Sequence, residues 1–89
     1  MTLKLRDGVF AAETDYGITL LDEDSGQYWN LNPTGALVLR TLLAGGTTAQ
    51  VVQELMEQYA VDAETASQDV KDLLNELHSA GLVKEQTAS

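Results

Sequence analysis

The chain has 89 residues, 44% of them hydrophobic and 21% charged, the length and balance of one globular domain and far from the composition of a disordered chain. Fourteen acidic against five basic residues leave a net charge of −9, the wrong sign for a partner with a phosphate backbone or an anionic membrane surface. The absence of cysteine removes disulfides, thiol nucleophiles and thiolate metal sites, and no apolar run approaches the ~20 residues of a membrane helix. The expectation is a single cytoplasmic domain over 1–89. It binds neither nucleic acid nor membrane, and at this size a surface groove is more to be expected than a deep catalytic cavity.

In chain order, Val9–Ala12, Ile18–Leu21 and Gln27–Leu31 read as strands, separated by the turn segments Thr14-Asp15-Tyr16-Gly17 and Asp22-Glu23-Asp24-Ser25-Gly26. Both links are short enough for hairpins, giving a three-stranded antiparallel meander. At Asn32-Pro33 the pattern switches to helix, with Asn32 as cap and Pro33 at the first helical position, where its missing N–H is harmless. Ala36, Leu37, Val38, Leu39, Leu42 and Leu43 make this helix apolar nearly all round, so it is the expected buried helix, ended by Gly45-Gly46. Gly35 weakens it, and its missing side chain is expected to permit close packing on the sheet. Thr47 and Gln50 stand at capping-box spacing for a second helix, with Val52, Leu55, Met56 and Tyr59 as its inner stripe. Asp62 caps a third helix running to Ala80 and ended by Gly81, with Ala66, Val70, Leu73, Leu74 and Leu77 facing inward. Leu82-Val83 fold back as a short extended tail, and Glu85 to Ser89 lack an anchor. The fold class is α+β and winged helix-turn-helix-like: an N-terminal three-stranded sheet, then three helices.

Chemistry-bearing residues are sparse. His78, the one histidine, has neither a nucleophile to activate nor a second imidazole, and reads as a surface residue at the negative end of its helix. Asp22-Glu23-Asp24 lacks the spacing of a calcium loop and reads as a solvated turn. Gly45-Gly46 has no phosphate-loop context. Neither an enzyme, a cofactor nor a metal is expected. A winged helix suggests DNA binding, but the third helix carries Asp62, Glu64, Asp69, Asp72 and Glu76 against Lys71 alone, and phosphates repel such a helix.

Tyr28 and Trp29 fall on opposite faces of a strand at one edge of the meander, so one of them is expected in the core. That edge has no Pro or Lys between Gln27 and Leu31 to protect it. Either the third helix covers it or it receives a guest strand, and periodicity alone favours the covered edge.

The order Leu31-Asn32-Pro33-Thr34-Gly35-Ala36, then Asp69-Val70-Lys71-Asp72-Leu73-Leu74-Asn75-Glu76-Leu77, then Gly81-Leu82-Val83 closely resembles the PqqD-like family of RiPP precursor-peptide recognition elements, over a core of about 8–84. In size and acidity it looks most like the stand-alone recognition protein of a split lasso-peptide system. The resemblance implies a non-catalytic adaptor that binds the leader of a ribosomally made precursor by adding it as a strand to the third strand, beside the third helix. The adaptor would present the precursor to a cysteine-protease-like leader peptidase and an ATP-dependent lasso cyclase. Carried onto this sequence, Tyr28, Trp29, Asn30 and Leu31 are the pairing strip, Ala66, Val70 and Leu73 the apolar floor, and Asp69 and Glu76 the rim for a basic or hydroxyl-bearing leader residue. For lasso leaders it implies recognised tyrosine and proline residues. Two alternatives share the fold: a PqqD-type peptide chaperone for a radical SAM enzyme, and an acidic winged-helix module that docks a protein through its helices.

Overall fold

Two hairpins build the first half of the molecule, whose computed structural model describes residues 2–86. Strands β2 (Val9–Thr14), β3 (Gly17–Asp22) and β4 (Gln27–Leu31) form an antiparallel sheet in the order β2-β3-β4. Gly17 has φ +143°, and a Cβ there would stand 2.0 Å from the Leu31 carbonyl oxygen, so the first turn can press against the end of β4 only with glycine at this position. Ile18 and Leu20 point inward and are buried, while Thr19 and Leu21 face out, the alternation of a sheet covered on one face.

Helix α1 (Pro33–Leu43) crosses the covered face. The Asn32 side chain accepts the Gly35 N–H at 2.8 Å, satisfying one of the helix's unpaired donors and turning the chain directly from strand to helix. Ala36, Val38, Leu39 and Leu42 are buried. The capping box of Thr47 and Gln50 opens α2 (Thr48–Tyr59), and Asp62 caps α3 (Ala63–Ser79) by accepting the Thr65 N–H. Hydrogen bonds from the Thr65 N–H and hydroxyl hold the Asp62 carboxyl below its ordinary range.

The inner stripe of α2 is Val51 and Leu55, with Val52 half-buried and Met56 and Tyr59 exposed. The expected stripe is therefore turned by one position, because α2 packs between α1 and α3 and so is buried along the side that faces both. Ala60 ends α2 in the left-handed conformation at φ +53°, which puts strain on any residue with a Cβ.

Two strands go beyond the sequence reading. β1 (Thr2–Leu5) pairs antiparallel with β5 (Val83–Gln86), Leu3 opposite Glu85 and Leu5 opposite Val83. Glu85 is thus held by a strand ladder, while Thr87, Ala88 and Ser89 lie outside the described residues. Leu3 and Val83 of this ribbon, with Leu82 just before it, enter the core. Arg6 fastens the ribbon to the β3–β4 turn through ion pairs with Asp22 at 2.8 Å and Asp24 at 2.9 Å.

Burial works to raise the Asp22 pKa, but hydrogen bonds from Arg6, the Ser25 hydroxyl and the Asp24 N–H outweigh it and hold the carboxyl below the ordinary 3.8. A lowered carboxyl contributes its stability in full above the unfolded value and loses it as the pH falls through the folded one. Urea unfolding should therefore show Asp22→Asn less stable than the wild type at pH 6, with the gap narrowing at about pH 3. Separately, Ala60→Gly should raise stability by about 1 kcal/mol, read from the urea midpoint at constant slope.

Candidate functional site

β4 is an open edge: β3 pairs with one side of it, no described strand pairs with the other, and Gln27 to Asn30 are exposed. Which of its backbone groups are free follows from parity. The Glu23 N–H donates to the Gly8 carbonyl and the Gly26 N–H to the Asp22 carbonyl, so odd-numbered residues at this end address β2 and even-numbered ones address β4. Along β3 the same alternation holds. Its partners on β4 are then Gln27, Trp29 and Leu31, opposite Asp22, Leu20 and Ile18. The N–H and C=O of Tyr28 and Asn30 point away from the sheet. Of the four expected pairing residues, two offer backbone groups and two are committed to β3.

Side chains sort the same way. Trp29 lies opposite Leu20 and so faces inward, yet it is 38% exposed, while Tyr28, opposite Leu21 on the outer face, is 67% exposed. Neither aromatic is a core residue. The edge strand overhangs the helical layer, so its inward aromatic becomes the wall of a cleft. Thr19 donates a hydrogen bond to the Asn30 side-chain oxygen at 2.7 Å, tying that side chain to the outer face and keeping it off the edge.

The cleft runs along α3, between it and the start of α1 at one end and Trp29 of β4 at the other. One end, of about 370 Å³, is lined by Asn32, Gly35, Val38, Asp69, Leu73 and Glu76 among others, and Asp72 and Glu76 continue into a shallower end of about 670 Å³ beside Trp29, Asn75 and Ala80. At the far end of the strand a third hollow of about 660 Å³ runs along Asn30 to Pro33 beneath Tyr16. No basic side chain lines any of them. The β2 edge differs, because Arg40 reaches from α1 to Glu13 and bridges across that side.

Of the residues that the resemblance puts at the floor and rim, Leu73, Asp69 and Glu76 line the cleft, whereas Ala66 and Val70 are 0% and 2% exposed and belong to the core. Val70 faces the groove between α2 and α3 together with Val52 and Leu74. The reason is angular. At about 100° per residue, Asp69, Asp72, Leu73, Glu76 and Ala80 form one stripe, and the core stripe of Ala66, Val70 and Leu77 lies roughly 80° around the helix from it. The sequence reading merged the two stripes and so left out Asp72, Asn75 and Ala80 on α3, and Asn32, Gly35 and Val38 at the floor. The spacing 69, 72, 73, 76, 80 was the signal available.

His78 lies outside the cleft, its Nδ1 2.8 Å from the Leu74 carbonyl oxygen and its Nε2 4.0 Å from Glu85. Among the described residues, no three His, Asp or Glu side chains are grouped to hold a metal ion.

Residues 17–83 match the family model described as coenzyme PQQ synthesis protein D. The solved structure of a lasso peptide synthetase B1 complexed with the leader peptide is similar, with 39% identity and a TM-score of 0.89 over 96% of this chain and 100% of that one. TbiB1 in complex with the TbiA(beta) leader peptide is similar at 27% identity and a TM-score of 0.83, covering 96% of this chain and 99% of that one. No curated protein matches the chain. The family match takes in β3, β4, all three helices and the turn into β5, the elements that build and frame the cleft, and the chain belongs to the PqqD family.

Proposed function

We propose that this chain is a non-catalytic adaptor that binds the leader segment of a ribosomally synthesised precursor peptide as a fourth strand on β4. The observation that carries the reading is the open edge, with the N–H and C=O of Tyr28 and Asn30 directed outward near a cleft along α3. Strand addition satisfies those groups and gives affinity with little sequence demand, while alternate guest side chains enter the cleft and give specificity. The leader-bound structures of similar chains support the same reading. Lasso-peptide biosynthesis is the setting they favour over a PqqD-type chaperone for a radical SAM enzyme. There the adaptor would hand its precursor to a leader peptidase and an ATP-dependent cyclase.

The cleft specifies the guest's charge. Leu73 and Trp29 supply apolar surface, and Asp69, Asp72 and Glu76 form a wall of acceptors with no cation beside them. A leader residue with a cationic or hydroxyl tip finds partners there, and an acidic one meets repulsion.

A second reading rests on the groove between α2 and α3, lined by Ala49, Val52, Val70 and Leu74, with Met56 and Tyr59 exposed on α2. Under it the chain docks another protein through its helices. The two readings separate at Asn30.

Asn30→Pro removes an outward N–H and leaves the β3 ladder intact, so it should weaken binding of the cognate leader peptide about tenfold or more with little change in the circular dichroism. Unchanged affinity in that folded variant would remove strand addition and leave the helical groove. A combined Asp69→Lys and Asp72→Lys variant should weaken a leader that carries a basic residue, and raised salt should weaken the wild-type complex in the same direction. Fluorescence titration through Trp29 and anisotropy of a labelled leader measure both.

A further inference from the structure

The two walls of the cleft do not set their own separation. β4 packs against β3 and α1, and α3 against α1, α2 and β5, while β4 and α3 share no extended contact. At the deeper end the start of α1 stands between them, since Asn32, Gly35 and Val38 line the same hollow as Asp69 and Leu73. At the shallower end α1 lines nothing, and Trp29 faces Asp72, Asn75, Glu76, Ser79 and Ala80 across open space. There β4 must be held at its distance from α3 by something outside the cleft.

One side chain makes that link. Arg6, in the turn between β1 and β2, donates from Nε to the Gly81 carbonyl at 2.5 Å, one residue past the C-cap of α3. Its other nitrogens pair with Asp22 at 2.8 Å and Asp24 at 2.9 Å. Asp22 ends β3 and stands opposite Gln27, the first residue of β4, and Asp24 lies in the turn that joins them. The guanidinium therefore connects the end of α3 to the beginning of β4. Its backbone is fixed as well, because the Arg6 N–H donates to the Leu82 carbonyl at 2.9 Å and the Arg6 carbonyl accepts the Val9 N–H at 3.0 Å. Asp22 is the one buried charged residue among the described residues. A buried ion pair adds little net stability over apolar side chains of similar volume, and a better-attested use is to fix one arrangement among several. Arginine suits that use, since its planar fork holds several acceptors at set angles and a lysine ammonium on its flexible stem does not.

We infer that Arg6 is a positioning residue for the bound strand: it clasps the β3–β4 turn to the end of α3 and so fixes the width of the cleft beside Trp29. The inference rests on the leader-binding reading and names a residue that acts on it from outside. Arg6 lines none of the three hollows along β4, so it works through Asp22, Asp24 and Gly81. The clasp acts at one end of the edge. Tyr28 is one residue from the clasped start of β4, whereas Asn30 is next to Leu31 and the Asn32 cap that joins the strand directly to α1. Loosening the clasp therefore disturbs a guest's bonds to Tyr28 and spares those to Asn30.

The test uses the full chain, its Arg6→Lys and Asp24→Ala variants, and a synthetic peptide spanning the leader of the precursor encoded beside it. Arg6→Lys keeps the charge and removes the fork, so a change in affinity reports geometry and not the field of the protein. It should bind the peptide about fivefold or more weakly, and its Trp29 emission without peptide should shift to the red as that end of the cleft opens. Amide hydrogen exchange in the complex locates the effect. The Tyr28 N–H should lose the protection the peptide gives it, and the Asn30 N–H should keep it. A merely structural role would lower the melting temperature and move both amides alike. Asp24→Ala removes one arm of the clasp at an exposed carboxylate and should order the two amides in the same way, and it decides the matter if Arg6→Lys does not fold. Wild-type affinity in the folded variants, an unmoved Trp29 emission, or equal loss of protection at Tyr28 and Asn30 would each overturn the inference and leave leader binding standing. A wild-type chain that binds no leader peptide would overturn the leader-binding reading and this inference with it.

Discussion

Every layer of the molecule rests on α1. The helix touches β1, β3 and β4 as well as α2 and α3, burying Ala36, Val38, Leu39 and Leu42 among them while Arg40 stays at the surface. The sheet lies against one side, β1 against another, and α2 and α3 cover much of the rest. Leu20 of β3, Val38 and Leu39 of α1 and Leu82 ahead of β5 are all at 2% exposure or less. The cleft is a by-product of this enclosure. α3 is anchored through Ala66, Val70 and Leu77, so its neighbouring stripe faces β4 across a gap and does not pack on it.

The open edge of β4 carries a hazard. Unpaired strand edges invite pairing with other copies, and proteins commonly blunt them with lysine, proline or a covering element. Among the described residues none of these protects β4. What stands beside it is a wall of carboxylates in a chain of net charge −9, and like charge opposes the approach of a second copy. The same field favours a guest strand that carries cationic or donor groups.

The elements near the site were largely legible because their signals are local. Turn residues, the Asn32-Pro33 entry, the Thr47–Gln50 box and the Asp62 cap each act within four residues, and each forms the bonds expected of it. The β1–β5 ribbon was not legible, since its two strands are four residues each and stand about as far apart in the chain as two segments can. No turn chemistry joins them, and pairing across such a separation is decided by what α1 and α3 bring together. The inner stripe of α2 slipped by one position for a related reason. A helix wedged between two others is buried toward their junction, which its own periodicity does not locate.

The amino-acid sequence by itself determined the meander, the capped helices, a net negative charge, the absence of thiol chemistry, and a third strand without lysine or proline. Tertiary structure decided whether the edge of that strand is open, which of its backbone groups face outward, and which face of α3 borders it. It also decided that Gly17 faces the Leu31 carbonyl so closely that no Cβ fits there. The physical reason is the same in each case. Caps and turns depend on neighbours along the chain, whereas parity, gaps and unfilled volume depend on how distant elements are set against one another.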